Sequence, residues 1–137
     1  MTVDAWTLEK IRAHIAEGLP RVPLFNIAVL EASADRAVVR FASEGPATRP
    51  GGSVAGPVQF TMADVAIYAL IIAGRQDAAA VPVDLTINFL RPATTMPLIA
   101  AATPLRSGRR LFTADVRIAE ETSGRPIAQA TGTYALS

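Results

Sequence analysis

The chain has 137 residues, enough for one domain with a substantial hydrophobic core, and we predict a single domain over residues 1–137. Half of the residues are hydrophobic and 18% are charged, a composition that excludes a disordered chain. The net charge of +1 gives no reason to expect nucleic acid or a membrane surface as a partner. The absence of cysteine excludes disulfides, thiolate nucleophiles and cysteine metal sites.

The first third of the sequence predicts a helix followed by a hairpin. Apolar residues recur at helical spacing over Thr2–Glu17, and Gly18-Leu19-Pro20 follows as a stop. Two β-branched, apolar runs, Leu24–Glu31 and Arg36–Ala42, predict two antiparallel strands. The N-terminus carries acidic residues and no long apolar run, so no secretory signal is predicted and we expect a cytoplasmic protein.

The stretch Gly56–Gly74 predicts a buried helix, which a Gly/Pro-rich loop over Ser43–Ala55 precedes. Pro57 suits the first turn of a helix, and Gly74 suits the left-handed residue that ends one. The apolar residues between them point in every direction, which leaves no face for solvent. The stretch falls short of the ~20 apolar residues of a membrane span, so we expect a core helix.

Asp64 lies in the middle of this apolar helix and is the only charged residue between Arg49 and Arg75. An ionised carboxylate in apolar surroundings is costly unless it is paired or hydrogen-bonded. Asp64 is therefore either a catalytic or ligand-binding carboxylate, or a structural one that caps a loop or pairs with an arginine. Arg49, in the loop just before the helix, is the candidate partner.

Four strands are predicted after the helix. Alternating apolar residues predict a strand with one buried face over Val83–Leu90, and three further runs follow at residues 98–105, 112–118 and 127–136. Consecutive strands joined by tight turns should pair antiparallel, which gives an α+β fold of two layers, a curved sheet around the apolar helix. The strand Val83–Leu90 would form an exposed apolar edge in a monomer, so we expect self-association.

Three stretches carry a family resemblance: residues 55–64, residues 83–93, and Gly108-Arg109-Arg110-Leu111 together with residues 128–134. They resemble the hotdog-fold acyl-CoA thioesterases of the PaaI-like type, and the resemblance covers the chain from Leu24 to its end. The family pattern on the central helix is His-Gly-Gly with an acidic residue eight positions after the first glycine, a spacing that Gly56 and Asp64 keep. The resemblance implies a hotdog fold, with one long central helix wrapped by a curved antiparallel sheet and a short N-terminal helix.

The resemblance also implies a function, which is hydrolysis of the thioester of a medium-chain or aromatic acyl-CoA, with no cofactor. The thioester carbonyl would lie at the start of the central helix, where the Gly56 N–H and the helix dipole stabilise an oxyanion. Asp64 would act as nucleophile or as general base for water. In similar enzymes the site lies between two subunits, so a homodimer or a tetramer is implied.

Four positions depart from the family pattern. The family's histidine is Ala55 here, and its second glycine is Pro57, which has no N–H to donate. A Ser/Thr that orients water corresponds to Pro82, and a polar residue of the loop before the helix corresponds to Arg49. These departures motivate two alternatives: a hotdog domain that binds an acyl-CoA or another apolar ligand without turning it over, or a purely structural dimer module.

Other residues of the helix are candidates for the substrate channel. Tyr68 follows Asp64 by one turn on the face of Phe60, and the alternative is a core tyrosine with a satisfied hydroxyl. Gln59 and Thr61 either line the channel or bond to nearby backbone. The predicted substrate-binding residues are Arg49, Val58, Gln59, Phe60, Thr61, Tyr68 and Pro82.

The remaining candidates are basic residues outside the helix. Arginine forks match phosphate geometry, so the phosphates of coenzyme A are assigned to residues at turns and strand ends, with ordinary solubility as the alternative. These residues are Arg91, Arg106, Arg109 and Arg110. His14, the single histidine, is predicted to lie on the surface of the N-terminal helix, far from the pocket, so neither a Ser-His-Asp triad nor a metal site is predicted.

Overall fold

The computed structural model describes residues 5–42, 52–94 and 96–137. In chain order the elements are α1 (Leu8–Gly18), α2 (Arg21–Leu24), β1 (Ile27–Ala32), β2 (Ala37–Phe41), α3 (Gly56–Arg75), β3 (Val81–Phe89), β4 (Leu98–Ser107), β5 (Leu111–Glu120) and β6 (Pro126–Ala135).

The six strands form one sheet in the order β1-β2-β4-β5-β6-β3, and every neighbouring pair is antiparallel. Helix α3 packs across the inner face of this sheet, mainly against β2, β4 and β5. The strands supply alternate apolar residues to that face, among them Val39, Phe41, Leu98, Ala100, Ala114, Val116 and Ile118. The predicted two-layer α+β architecture is therefore confirmed.

The predicted meander of four consecutive strands is wrong in one respect. β4, β5 and β6 form a meander, but β3 pairs with β6 at the far edge of the sheet. The connection from β3 to β4 spans residues 90–97, too long for the tight turn that joins sequential neighbours. The expected buried face of β3 is also wrong, because Val83 and Phe89 are exposed and only Leu85 and Ile87 are half-buried. An edge strand lacks a neighbour on one side, and α3 makes few contacts with β3.

Several predicted element boundaries differ from the structure. The helix expected over Thr2–Glu17 begins at Leu8, where the Thr7 side chain caps it, and ends at Gly18. The strand expected from Leu24 begins at Ile27, because residues 21–24 form the short helix α2. The left-handed residue that ends α3 is Gln76, with φ 54°, and not Gly74. The small size of Gly74 serves packing, because a Cβ there would lie 3.0 Å from the Cα of Ala34 in the β1–β2 turn.

Helix α3 is buried over most of its length, as its apolar sequence predicts. Twelve of its residues are buried, including Met62, Val65, Leu70 and Ile71. Contrary to the sequence expectation, the helix does reach the length and composition of a membrane span, but 67% of its most apolar window is covered by the rest of the domain. Such coverage is typical of the core helix of a domain that packs around it.

Gly132 of β6 offers a test of the packing between α3 and the sheet. A Cβ at this position would lie 2.5 Å from Cδ1 of Ile67 and 2.8 Å from Cδ1 of Leu85. Gly132→Ala should therefore lower the free energy of unfolding by about 1–3 kcal/mol, measured by urea denaturation, because the core must shift. Gly18→Ala is the matched control: nothing lies within 4 Å of its Cβ, and alanine should raise helix stability by up to about 1 kcal/mol. Equal stability of Gly132→Ala and the wild type would contradict this packing.

Candidate active site

Asp64 lies at the wall of a cavity of about 350 Å³, and its side chain is 17% exposed. The cavity is enclosed by helices α1 and α3, the residues around α2, the start of β3 and the end of β6. Its lining residues are His14, Gly18, Leu19, Arg21, Asp64, Tyr68, Ala78, Ala79, Ala80, Val81, Pro82 and Tyr134. The carboxylate is therefore accommodated on an apolar helix, because Asp64 faces a side of α3 where His14, Arg21 and Tyr134 also lie.

Among the described residues, two groups hold the Asp64 carboxylate. The hydroxyl of Tyr134 donates a short hydrogen bond to Oδ1 and also lies 3.2 Å from the backbone oxygen of Asp64. Nη2 of Arg21 lies 3.6 Å from Oδ2, and the Arg21 side chain is 47% exposed. Arg49, the partner expected from the sequence, lies outside the described residues. The ion-pair partner that the structure places beside Asp64 is Arg21.

The environment of Tyr134 keeps its phenol neutral. Burial raises the pKa of Tyr134 well above its ordinary value, and the negative charge of Asp64 and the hydrogen bond to it raise the pKa further. The neutral hydroxyl can therefore donate to the carboxylate at any pH at which the fold is stable. The ring of Tyr134 stacks on that of Tyr68, with centroids 6.3 Å apart.

The prediction for His14 is wrong, because the structure places it in the wall of the Asp64 cavity. Nε2 of His14 lies 2.8 Å from the hydroxyl of Tyr68, and this hydroxyl donates to the backbone oxygen of Ala78 at 2.6 Å. Since a phenol has one proton, the His14 Nε2 must be the donor to Tyr68. The Tyr68 hydroxyl is thus satisfied, as the structural interpretation expected, while its side chain also lines the cavity. Burial, and then the charge of Asp77, raise the pKa of Tyr68.

Gly56, the predicted oxyanion donor, does not line the Asp64 cavity. It lies at a separate cavity of about 550 Å³, together with Gln59, Phe89, Leu90 and Arg91. Residues eight positions apart on one helix are separated by about 12 Å along its axis. A single thioester carbonyl therefore cannot touch Gly56 and Asp64 of the same chain.

The other predicted substrate-binding residues do not lie in one cavity. Pro82 lines the Asp64 cavity, and Gln59 lines the Gly56 cavity. Val58 is buried in the core, and Thr61 Oγ1 donates to the backbone oxygen of Pro57 at 2.9 Å, so neither faces the Asp64 cavity. Phe60 is 42% exposed and lies outside both cavities.

The predicted phosphate-binding arginines also fall in two groups. Arg91 lines the Gly56 cavity, whereas Arg106, Arg109 and Arg110 surround a cavity of about 260 Å³ at the β4–β5 turn. Arg75, at the end of α3, anchors this turn by donating to the backbone oxygen of Gly108 at 2.6 Å. Within the described ranges, no three His, Asp or Glu side chains lie together in a way that could hold a metal ion.

Comparison with known proteins identifies the family. The model of the thioesterase superfamily matches residues 51–127, more than half of the chain. The chain belongs to the thioesterase superfamily. A search of curated proteins gave no match.

Solved structures of thioesterases share the fold. Zebra fish thioesterase superfamily member 2 is 26% identical, with a TM-score of 0.84, over 97% of this chain and 100% of that one. A thioesterase of Haemophilus influenzae (20% identity, TM-score 0.83, 98% and 92% covered) and a variant of the phenylacetic acid degradation protein PaaI of Thermus thermophilus (24%, 0.77, 86% and 99%) are similar in fold. The predicted hotdog fold and the PaaI-like resemblance are thus confirmed.

Three residues of the Asp64 cavity were missed or misplaced by the sequence analysis. A signal for Tyr134 was present, because the polar residues Gln129, Thr131 and Thr133 mark one face of β6, and a tyrosine on the other, buried face needs a partner for its hydroxyl. Arg21 and His14 gave no such signal. Their proximity to Asp64 depends on how α1 and α2 pack against α3, which periodicity does not report.

Tyrosine titration should show the contact between Tyr134 and Asp64. In Asp64→Asn, the negative charge and the carboxylate acceptor are gone, so the pKa of Tyr134 should fall towards its ordinary value of 10.0 yet stay above it, because burial remains. Tyrosinate absorbance is read immediately after a rapid jump to high pH, before unfolding: the wild-type phenol should stay neutral, whereas Asp64→Asn should form tyrosinate. Making both proteins in a Tyr68→Phe background leaves Tyr134 as the one tyrosine. Equal tyrosinate formation by the two proteins would contradict the contact.

Proposed function

We propose that this member of the thioesterase superfamily hydrolyses the thioester of an acyl-CoA with a medium-chain or aromatic acyl group, and that Asp64 is its catalytic carboxylate. The observation that carries the proposal is the placement of Asp64, a partly exposed carboxylate held by Tyr134 and Arg21 at the wall of a largely apolar cavity. A cavity with apolar walls and a few convergent polar groups is typical of a small-molecule site.

In the proposed reaction, Asp64 either attacks the carbonyl carbon of the thioester or removes a proton from a water molecule that attacks it. By the second route, the water oxygen forms a bond to the carbonyl carbon, and the carbonyl oxygen becomes an oxyanion. The C–S bond then breaks, and the leaving thiolate takes up the proton held by Asp64.

The backbone N–H of Gly56 is the proposed oxyanion donor. In the part of the chain that the structure describes, the N–H groups of Val58 and Gln59 bond to the backbone oxygen of Ala55, and Pro57 has none. The Gly56 N–H therefore remains for a ligand at the start of a 20-residue helix, where the dipole favours negative charge.

A second copy of the chain would bring the Asp64 cavity of one subunit next to the Gly56 cavity of the other. β3 is an edge strand with exposed apolar residues at both ends: Val81 and Val83 at its start, Phe89 and Leu90 at or just after its end. A two-fold symmetric, antiparallel pairing of two β3 edges places the start of one β3 opposite the end of the other. Since Val81 lines the Asp64 cavity and Phe89 lines the Gly56 cavity, this pairing joins the Asp64 cavity of one subunit to the Gly56 cavity of its partner.

The arginines are proposed to hold the phosphates of coenzyme A. Arg91 lies at the Gly56 cavity itself. The register places Val81 opposite Ala135, and Ala135 opposite Leu111, so Arg110 and its turn lie about two strand spacings, roughly 10 Å, from the start of β3. Both groups of arginines are therefore within the reach of a long ligand that starts at the proposed site.

A second candidate function is binding of an acyl-CoA without turnover. It is favoured by Pro82, which lines the Asp64 cavity at the position where the family's Ser/Thr orients water and which has no hydroxyl. Calorimetry with a non-hydrolysable acyl-CoA analogue, together with a thiol-release assay on the corresponding acyl-CoA, separates the two functions. Saturable binding with no thiol release would establish the binder and exclude the hydrolase.

Asp64→Asn should abolish hydrolysis without unfolding the protein. Removing a general base or nucleophile lowers turnover by roughly 10²–10⁴-fold. Thiol release is measured over a panel of short, medium-chain, long and aromatic acyl-CoAs. Asp35→Asn is the matched control, because Asp35 lies in the β1–β2 turn, away from both cavities. Equal turnover by Asp64→Asn and the wild type would exclude Asp64 as the catalytic residue.

A mixing experiment tests whether the site is shared between subunits. Gly56→Pro removes the proposed oxyanion donor, and Asp64→Asn removes the carboxylate, so each variant alone should be inactive. In a statistical mixture, half of the dimers carry one intact site, so activity should return to about one quarter of the wild type. Light scattering confirms the dimer. Mixed dimers without activity, when each variant is folded, would exclude a shared site.

A further inference from the structure

The hydroxyl of Tyr134 contacts both the backbone and the side chain of Asp64. Its hydroxyl donates to Oδ1 of Asp64 and lies 3.2 Å from the backbone oxygen of the same residue. A hydrogen bond to a charged acceptor is stronger than one between neutral groups, so the carboxylate is the dominant partner. Oδ1 is thereby engaged, which leaves Oδ2 for a water molecule or a thioester carbon.

The side chain of Tyr134 is held in place, so its hydroxyl cannot move with the Asp64 carboxylate if that group rotates. Its side chain is 3% exposed, and its ring lies within 14° of parallel to the ring of Tyr68. β6 has a strand on each side, with Phe112 and Pro82 opposite Tyr134 in the two ladders. The hydroxyl is therefore fixed by the sheet and by a packed aromatic pair.

Arg21, the other partner of the carboxylate, is held much less firmly. It belongs to a helix of four residues, its side chain is about half exposed, and 3.6 Å separates its Nη2 from Oδ2. Exposed ion pairs are weakened by solvent and by the entropy of long side chains. The terminal torsion of an aspartate is also broad and roughly two-fold, so Arg21 alone leaves the carboxylate free to rotate.

We propose that Tyr134 is a positioning residue for catalysis: its hydroxyl fixes the plane of the Asp64 carboxylate and directs Oδ2 towards the substrate. The proposal rests on the proposed function, in which Asp64 is the catalytic carboxylate. Tyr134 acts through Asp64 and makes no step of its own. Its removal should therefore lower turnover, with little effect on substrate binding.

The test compares Tyr134→Phe with the wild type and with Thr133→Val. Tyr134→Phe should lower kcat by roughly 10–100-fold and leave KM within about two-fold. Thr133 is the neighbouring residue of β6, and its hydroxyl pairs with that of Thr113 at 2.9 Å, away from Asp64. Thr133→Val removes a hydroxyl of the same strand, so its kcat and KM should both stay at the wild-type values.

The outcomes separate this proposal from the proposed function. Absence of thiol release by the wild type, or full activity of Asp64→Asn, defeats the proposed function whatever Tyr134 does. If Asp64→Asn is inactive while Tyr134→Phe keeps the wild-type kcat, the positioning role is overturned and the function stands. An equal loss of kcat in Thr133→Val and Tyr134→Phe also overturns it, because the effect would then be a general loss of rigidity.

A replacement by 3-fluorotyrosine keeps the test valid if Tyr134→Phe does not fold. This residue retains the ring and the donating hydroxyl, so the protein should fold and keep kcat within about two-fold of the wild type. A loss of kcat of about ten-fold or more, with the hydroxyl still present, would overturn the proposal.

Discussion

The site depends on one buried contact, the hydrogen bond from Tyr134 to the Asp64 carboxylate. Helix α3 is surrounded by apolar side chains of the sheet, and an unpaired carboxylate on it would destabilise the fold. The phenol of Tyr134 donates a hydrogen bond to Oδ1, while the cavity gives Oδ2 access to solvent and to Arg21. The same contact thus makes the charge tolerable in the core and leaves part of it available for chemistry.

The fold separates the two halves of the proposed chemistry. The start of α3 carries the Gly56 N–H, which has no partner among the described residues, and Asp64 lies two turns further along. A straight helix therefore holds the two groups too far apart for one carbonyl. The exposed apolar ends of β3 belong to the two cavities in which these residues lie. A symmetric pair of subunits would therefore cover the exposed apolar residues of β3 and would also bring Asp64 of one subunit close to Gly56 of the other.

Much of this could be predicted from residues alone. The alternation of apolar and polar residues predicted the bounds of β4 to β6 within a few residues. The apolar run from Gly56 predicted the central helix, in which Asp64 stands out as a charged residue. The order of the strands could not be predicted, because β3 pairs with β6 across a long connection, where the preference for sequential neighbours fails. Arg21 and His14 also escaped prediction: each reaches the cavity through the packing of a short N-terminal helix, and neither lies in a motif with Asp64.

Three consecutive alanines, Ala78 to Ala80, line the cavity beside Asp64, and they belong to the connection between α3 and β3 rather than to a helix or strand. Ala80 is buried in the core, whereas Ala78 is half-buried and Ala79 is exposed, so these two positions can accept a larger side chain without changing a ladder hydrogen bond or a helix face. The depth of the cavity can therefore change independently of the scaffold that orients the carboxylate. Related chains could vary the size of the ligand that fits this cavity by substitutions at two adjacent positions.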